Sequence, residues 1–400
     1  MKRKFTMKRN RVTVSAVATC LWIVVAGVLS SRAAEPFIEA GVPLFSNHNK
    51  VFYRAPCLLV TGKGTVLAAS QKRLGEAGDF APSCLVLRRS TDGGKTFEPE
   101  QTLFERSGNC TFNGNLIEDR QRATIFATFI TFPQAEHAAW FTKKWVPQGG
   151  GFSIVKSTDD GKTWSTPVEV MPKPNANGWH GGGAFNNNHG VQLQRGPHTG
   201  RLVICARVFK TGVYEGRAKG GLIYSDDHGE TWQVGGVMFK DCGGLNSEVT
   251  VGETADGEVY VNSRNSSSRV KGELPKGIVP NQRLYSRSRD GGESFYEEGC
   301  HKELFDGPCN AGQTSVADDL LLFTAPAVQQ RSQLTGYVSR DGGRTWTAAN
   351  IISENSGGYS DNAVTPDKTI LTLYENAHDT TKPRGILLAR YNLEWLLGRK

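Results

Sequence analysis

Five copies of one octet, spread over most of the 400 residues, constrain this chain more than any other feature of its sequence. The first is Ser90-Thr-Asp92-Gly-Gly94-Lys-Thr96-Phe97 and the second Ser157-Thr-Asp159-Asp-Gly161-Lys-Thr163-Trp164. The others are Ser225-Asp-Asp227-His-Gly229-Glu-Thr231-Trp232, Ser288-Arg-Asp290-Gly-Gly292-Glu-Ser294-Phe295 and Ser339-Arg-Asp341-Gly-Gly343-Arg-Thr345-Trp346. The aspartates are 67, 68, 63 and 51 residues apart. Repetition on this scale indicates a propeller or a solenoid, not a string of unrelated domains.

The octet suits a hairpin turn. Its Ser and Asp side chains can accept hydrogen bonds from the turn's own amides, and glycine supplies a backbone angle that other residues resist. The closing aromatic is placed to drop into the core between neighbouring sheets. Short strand-like runs precede the copies (Leu85-Val-Leu87, Leu222-Ile-Tyr224, Gly336-Tyr-Val338), and no long amphipathic helix separates them. Six blades of about 61 residues fit the chain that remains once a leader is removed. The sixth blade has no octet and is expected to combine strands from both ends of the chain, closing the ring and leaving no exposed edge.

That leader also governs the charge. Residues 1–11 carry six basic side chains (Lys2, Arg3, Lys4, Lys8, Arg9, Arg11) and no acid. An apolar run from Val12 to Leu29 follows, then Ser30, Ser31, Arg32, Ala33 and Ala34. This is the order of a secretory signal peptide, residues 1–33, with cleavage expected after Ala33; a retained membrane anchor is the alternative. Removing it leaves 40 basic against 39 acidic residues, so the basic pI belongs to the leader and nucleic acid is not an expected partner. The mature chain, residues 34–400, is expected to be a secreted or periplasmic monomer with no membrane contact after cleavage. It keeps seven cysteines, so at least one is unpaired. Cys300, His301 and Cys309 lack a fourth ligand at matching spacing, and neither metal nor cofactor is expected.

Five further segments carry chemistry. They are Tyr53-Arg54-Ala55-Pro56; the stretch with Arg73 and Asp79; Asn246-Ser-Glu248-Val-Thr-Val-Gly-Glu253-Thr-Ala-Asp256-Gly257 with Arg264 sixteen residues after Glu248; Leu322-Phe-Thr-Ala-Pro326 with Arg331; and Tyr359-Ser360-Asp361 before Leu373-Tyr374-Glu375. The octets resemble the Asp boxes (BNR repeats) of the sialidase superfamily, and the five segments resemble, in order and spacing, the motifs of bacterial-type exo-α-sialidases. The resemblance implies an all-β, six-bladed β-propeller of sialidase type. It implies that Arg54, Arg264 and Arg331 grip the substrate carboxylate and that Glu375 braces Arg54. It further implies that Arg73 reaches the sugar's 4-hydroxyl, that Tyr359 is the nucleophile with Glu248 as its base, and that Asp79 is the acid/base. Sialylated glycans are the implied partners.

The chemistry accounts for these residue types. Sialic acid bears a carboxylate on its anomeric carbon, and a guanidinium pairs with it bidentately, which lysine cannot do. The same charge disfavours a carboxylate nucleophile. A tyrosine hydroxyl is neutral but weak, with an ordinary pKa near 10, and so needs a partner base. Retention through a tyrosyl-sugar intermediate is what the resemblance implies.

Alternatives within the enzymes are a hydrolase of a related 2-keto sugar acid and an intramolecular trans-glycosidase. Outside them stands a non-catalytic Asp-box propeller that binds glycans, since Asp boxes alone specify fold and not activity. Ala55 departs from the family's usual isoleucine, and Ser70-Gln71-Lys72-Arg73 from its usual Glu-Gly-Arg. The segment Pro133–Gly151, with Trp140, Phe141 and Trp145, is read as packing on its own blade or as an aglycone platform. The polar run from Trp179 to His189 is expected at the pocket rim, before a strand at Gly190-Val-Gln-Leu193.

Overall fold

Six antiparallel sheets, arranged as the blades of a propeller, make up the protein in the computed structural model, which describes residues 1, 34–134, 152–181, 188–210, 219–270, 272–376 and 378–398. The expected leader, after Met1, lies outside the described residues, as does most of the Pro133–Gly151 segment. Blade 1 holds the strands Val51–Val60, Val66–Leu74, Ser83–Ser90 and Gln101–Phe104; blade 2 holds Asn109–Asp119, Thr124–Pro133, Phe152–Ser157 and Val168–Val170. In blade 3 the short strands Trp179–Gly181 and Val191–Gln192 share the inner edge of Leu202–Lys210, followed by Lys219–Ser225 and Gln233–Val237. Blade 4 comprises Asn246–Glu253, Val259–Asn265, Gln282–Ser288 and Glu297–Phe305; blade 5 comprises Gly312–Ala317, Leu320–Pro326, Leu334–Ser339 and Thr347–Ser353.

Blade 6 closes the ring as expected. Ser360–Val364, Ile370–Asn376 and Gly385–Tyr391 come from the C-terminal end, and Ile38–Ser46 from near the start of the chain adds the outermost strand. Asn392 clasps the two: its Oδ1 accepts from Phe37 N at 3.1 Å and its Nδ2 donates to Glu35 O at 2.8 Å.

The hydrophobic core lies between blades, not within them. Each of six apolar clusters draws on two neighbours, such as Leu67 and Leu85 of blade 1 with Leu116 and Phe129 of blade 2, or Leu44 and Leu388 of blade 6 with Leu58 of blade 1. Strands covered on both faces are buried along their whole length, as in Leu320–Pro326 and Ile370–Asn376. A sheet sandwiched between two others has no solvent face, so its strands read as apolar runs and lose the two-residue alternation.

All five octets form the same turn, always between the third and fourth strands of a blade. In the second, Ser157 Oγ donates to Asp159 Oδ1 at 2.9 Å and accepts from Gly161 N at 2.9 Å, while Thr163 N and Oγ1 bind the two Asp159 oxygens at 2.9 and 2.6 Å. The turns also lock onto the preceding blade. Backbone carbonyls of the turns accept from arginines there: Asp160 from Arg89, Gly291 from Arg201, Gly342 from Arg287 and Gly93 from Arg390. In the third turn His228 instead meets Asp119 of blade 2 at 2.7 Å. The third octet's Trp232 lies edge-on to Phe126 of that blade, the inter-sheet place expected of it.

Among the described residues no helix is long and apolar enough to cross a membrane, and all seven described cysteines are free thiols. His301 hydrogen-bonds Tyr260 Oη at 2.7 Å, and its ring lies tilted against that of Tyr285, 4.5 Å between centres. No cluster of three or more His, Cys, Asp or Glu suited to a metal occurs among the described residues.

Two expectations follow. Gly229 has φ +82°, and a Cβ there would come within 2.6 Å of the Phe126 ring, whereas Gly93, at φ +74°, faces open space. Gly229→Ala should therefore destabilise by about 2 kcal/mol more than Gly93→Ala in urea unfolding, because it adds overpacking to the backbone penalty that both share. The Asp159 carboxyl, held down to about 2 by the Thr163 hydrogen bonds, contributes stability that is complete above its unfolded value near 3.8 and fades as pH falls through 2. Asp159→Asn should accordingly flatten the acid limb of the stability curve, read from denaturant midpoints between pH 5 and 2.

Candidate active site

The eight residues singled out in the sequence come from blades 1, 4, 5 and 6, and two irregular strand pairings aim several of them. In blade 1, Arg54 pairs with Gln71 and Cys57 with Ala69, so Ala55 and Pro56 together oppose Ser70. Proline tolerates this bulge because it has no N–H to lose from the ladder. Ala55 adopts the left-handed φ of +58°, and its N–H turns away to Glu375 Oε1 at 2.9 Å. Blade 4 repeats the device: Ser247 and Glu248 oppose Arg264 alone. A bulge re-aims the side chains next to it, and here it sets Glu248 against Arg264.

Glu375, on the second strand of blade 6, is the first organising carboxylate. Its two oxygens accept from Arg54 Nε at 2.7 Å and Nη2 at 3.2 Å, a bidentate pair, and Oε2 also accepts from Tyr359 N at 3.3 Å. Burial alone would push its carboxyl up, but Arg54 and the Ala55 amide hold it below the usual range. Reciprocally, Glu375 pushes the Arg54 guanidinium up.

The second organising carboxylate is Glu248. Tyr359 Oη donates to its Oε1, while Arg264 Nη1 lies 3.2 Å from both of its oxygens. Tyr359 is pushed well above the usual tyrosine range, first by burial and then by the Glu248 charge; Arg264 and Arg331 oppose the shift. The phenol is thus neutral at ordinary pH, with a carboxylate placed to take its proton. Arg54 and Arg331 lie 6.0 and 5.4 Å from the centre of the Tyr359 ring, within cation–π range.

Arg331 follows the strand Leu320–Pro326 and has a left-handed φ of +56°. Its Nη2 donates to Pro308 O at 2.5 Å, and it forms no ion pair with a carboxylate among the described residues. Arg54, Arg264, Arg331, Glu248, Glu375 and Tyr359 are therefore one contiguous constellation.

Arg73 and Asp79 form a neighbouring pair, with Arg73 Nη1 3.0 Å from Asp79 Oδ1. Arg73 is buried while Asp79 is 69% exposed. Arg73 is also held by Gln71 Oε1 at 3.0 Å and Ala77 O at 2.7 Å. Burial, reinforced by the like charge of Arg54, lowers its pKa.

One expectation fails. Asn188 and His189 do not stand at the rim; they are drawn in among the innermost strands around Asp361, which is fully buried. Asp361 accepts from Leu58 N at 2.8 Å and from the N and Nδ1 of His189, each at 3.0 Å; Asn188 Nδ2 reaches its Oδ1 at 3.1 Å. A buried carboxylate recruits every donor within reach, and these two residues supply what the inner strands lack. The motif Tyr359-Ser360-Asp361 contained this signal, but nothing local tells which distant polar residues will satisfy the aspartate. Residues 182–187 lie outside the described residues, while Val191–Gln192 is a strand where one was expected.

The family of the BNR repeat-like domain matches residues 113–371. A sialidase of Micromonospora viridifaciens is 30% identical over 92% of this chain and 56% of its own length. A sialidase of Bacteroides fragilis is 26% identical over 88% of this chain and 64% of its own. Among solved structures, the Hadza microbial sialidase Hz136 superposes with a TM-score of 0.70 at 23% identity, over 86% of this chain and 66% of that one. The chain thus spans somewhat over half the length of the curated relatives it matches.

The electrostatics of Tyr359 can be checked directly. In an ultraviolet titration read as the difference from Tyr359→Phe, Tyr359 should ionise well above the pH 10 of ordinary tyrosine. With Glu248→Gln the carboxylate is gone while Arg264 and Arg331 remain, and its ionisation should move to lower pH.

Proposed function

The chain belongs to the family of the BNR repeat-like domain, and from its likeness to bacterial sialidases we propose that it is an exo-α-sialidase, hydrolysing terminal sialic acid from glycoconjugates with retention. The observation that carries this reading is the hydrogen bond from Tyr359 to Glu248, itself held by Arg264. A non-catalytic glycan-binding propeller has no need of a buried phenol paired with a carboxylate beside an arginine cluster.

In the proposed reaction Arg54, Arg264 and Arg331 hold the substrate carboxylate. Tyr359 Oη attacks the anomeric carbon and passes its proton to Glu248, while Asp79 protonates the departing glycosidic oxygen. The C–O bond to the aglycone breaks as the bond to tyrosine forms. Asp79, now ionised, then takes a proton from water, whose oxygen displaces Tyr359; Glu248 returns the proton to the phenolate. Two inversions leave the α-anomer. Arg73, tied to Gln71, Ala77 and Asp79, supports Asp79 at least as much as it could serve a 4-hydroxyl. Residues 1–33 as a cleaved leader, and residues 34–400 as a secreted or periplasmic monomer, complete the proposal.

Purified residues 34–400 should release fluorophore from an α-sialoside, and Tyr359→Phe should lose at least about a hundredfold in kcat/KM. Proton NMR of the early product should show free α-sialic acid; an anhydro sugar instead would identify an intramolecular transferase. Release undiminished in Tyr359→Phe contradicts the assignment of the nucleophile. Glu375→Gln, which removes one charge from the bidentate partner of Arg54, should raise KM more than it lowers kcat.

A further inference from the structure

The exposed position of Asp79 raises the question of what holds it. It sits between the strands Val66–Leu74 and Ser83–Ser90, on a loop whose residues 75–79 are all exposed and whose base is closed by Leu74 N to Pro82 O at 2.8 Å. A general acid must be held within a fraction of an ångström of its target, and an exposed polar loop does not hold a side chain that well unaided. The ion pair with Arg73 is one restraint, but a pair with one exposed partner is a weak one.

The next residue supplies a stronger restraint. Phe80 is half-buried, and its ring packs across the blade boundary. It lies edge-on to Phe112 at 5.9 Å and 6.1 Å from Phe132; those two rings, both on blade 2, stack at 5.8 Å. The main chain is tied to the same place, since the buried Cys110 thiol donates to the Phe80 carbonyl. Side chain and backbone of residue 80 are thus both fixed to blade 2, one residue from the carboxylate. An aromatic directly after the polar run Gly75-Glu-Ala-Gly-Asp79 is not called for by the turn itself.

We propose that Phe80 is a positioning residue for Asp79, anchoring the acid/base loop of blade 1 on the Phe112–Phe132 pair of blade 2. The proposal rests on the reading of Asp79 as acid/base. It makes the reach of the carboxylate depend on the contact between blades 1 and 2.

A misplaced acid penalises poor leaving groups, which depart only when protonated, far more than phenolic ones that depart as stable anions. The test compares kcat/KM for sialyllactose and for an aryl sialoside in wild type, Phe80→Ala and Phe80→Leu. Phe80→Ala should lose about tenfold more on sialyllactose than on the aryl substrate, with Phe80→Leu in between. Phe104→Leu, which loosens the same blade boundary at the Phe104–Phe129 contact of 4.5 Å, should lower the melting temperature without that split. Equal losses on both substrates in folded Phe80→Ala overturn the proposal. Amide hydrogen exchange provides a second arm, in which residues 75–82 should exchange faster in Phe80→Ala than in wild type. Unchanged exchange there also overturns it. A wild-type protein that cleaves neither substrate contradicts the proposed function instead, and the exchange arm then still decides whether Phe80 holds the loop.

Discussion

Guanidinium groups gathered in one cleft repel each other, and the site depends on the two carboxylates that make the gathering tolerable. Like charges about 4 Å apart cost on the order of 4 kcal/mol at the dielectric of a protein surface, and more as water is excluded. Glu375 offsets this at Arg54 and Glu248 at Arg264, each by hydrogen bonds as well as charge. Both do more: Glu375 accepts from the Tyr359 amide and fixes its backbone, while Glu248 accepts the hydrogen bond of the Tyr359 hydroxyl. In the proposed reaction one of these two charge-balancing carboxylates, Glu248, is also the proton acceptor. Arg331, which pairs with no carboxylate among the described residues, is in the proposed reaction the cation freest to meet an anionic sugar.

That arrangement is possible because the propeller brings the inner strands of every blade to one axis. Residues far apart in sequence meet there: Arg54 and Glu375 are 321 residues apart, and Glu248 and Tyr359 are 111 apart. Closure therefore matters to chemistry as well as to stability. The strand Ile38–Ser46 and the Asn392 clasp hold blade 6, and blade 6 carries both Glu375 and Tyr359. The Asp-box turns stiffen the ring by gripping the preceding blade, four through arginine-to-carbonyl bonds and the third through His228 and Asp119.

Much of this was legible in the sequence. Octets at regular spacing specified the propeller, because a turn that is satisfied by its own Ser and Asp is a local device readable without the fold. The six residues of the central constellation were found because each belongs to a short motif with its own neighbours. What stayed hidden depends on contacts made across blades. The place of Asn188 and His189 beneath the site is set by Asp361 from another blade, so these two residues of a run read as rim are drawn inward. The bulge at Ala55 was visible only as a departure from isoleucine; its purpose, freeing an N–H for Glu375, needs the partner strand. Phe80 gave no signal because its partners, Phe112 and Phe132, lie in the next blade.

The central claim, that Tyr359 is the atom-donating nucleophile and Glu248 only its base, is tested most directly by trapping. A 2,3-difluorosialic acid carries a fluoride leaving group at the anomeric carbon and a second fluorine that slows turnover of the glycosyl-enzyme. Incubation followed by intact-mass analysis and peptide mapping should find one added sugar residue, on the peptide containing Tyr359 and on its phenolic oxygen, and none in Tyr359→Phe. An adduct on Glu248 or Asp79, or one that persists in Tyr359→Phe, would contradict the account.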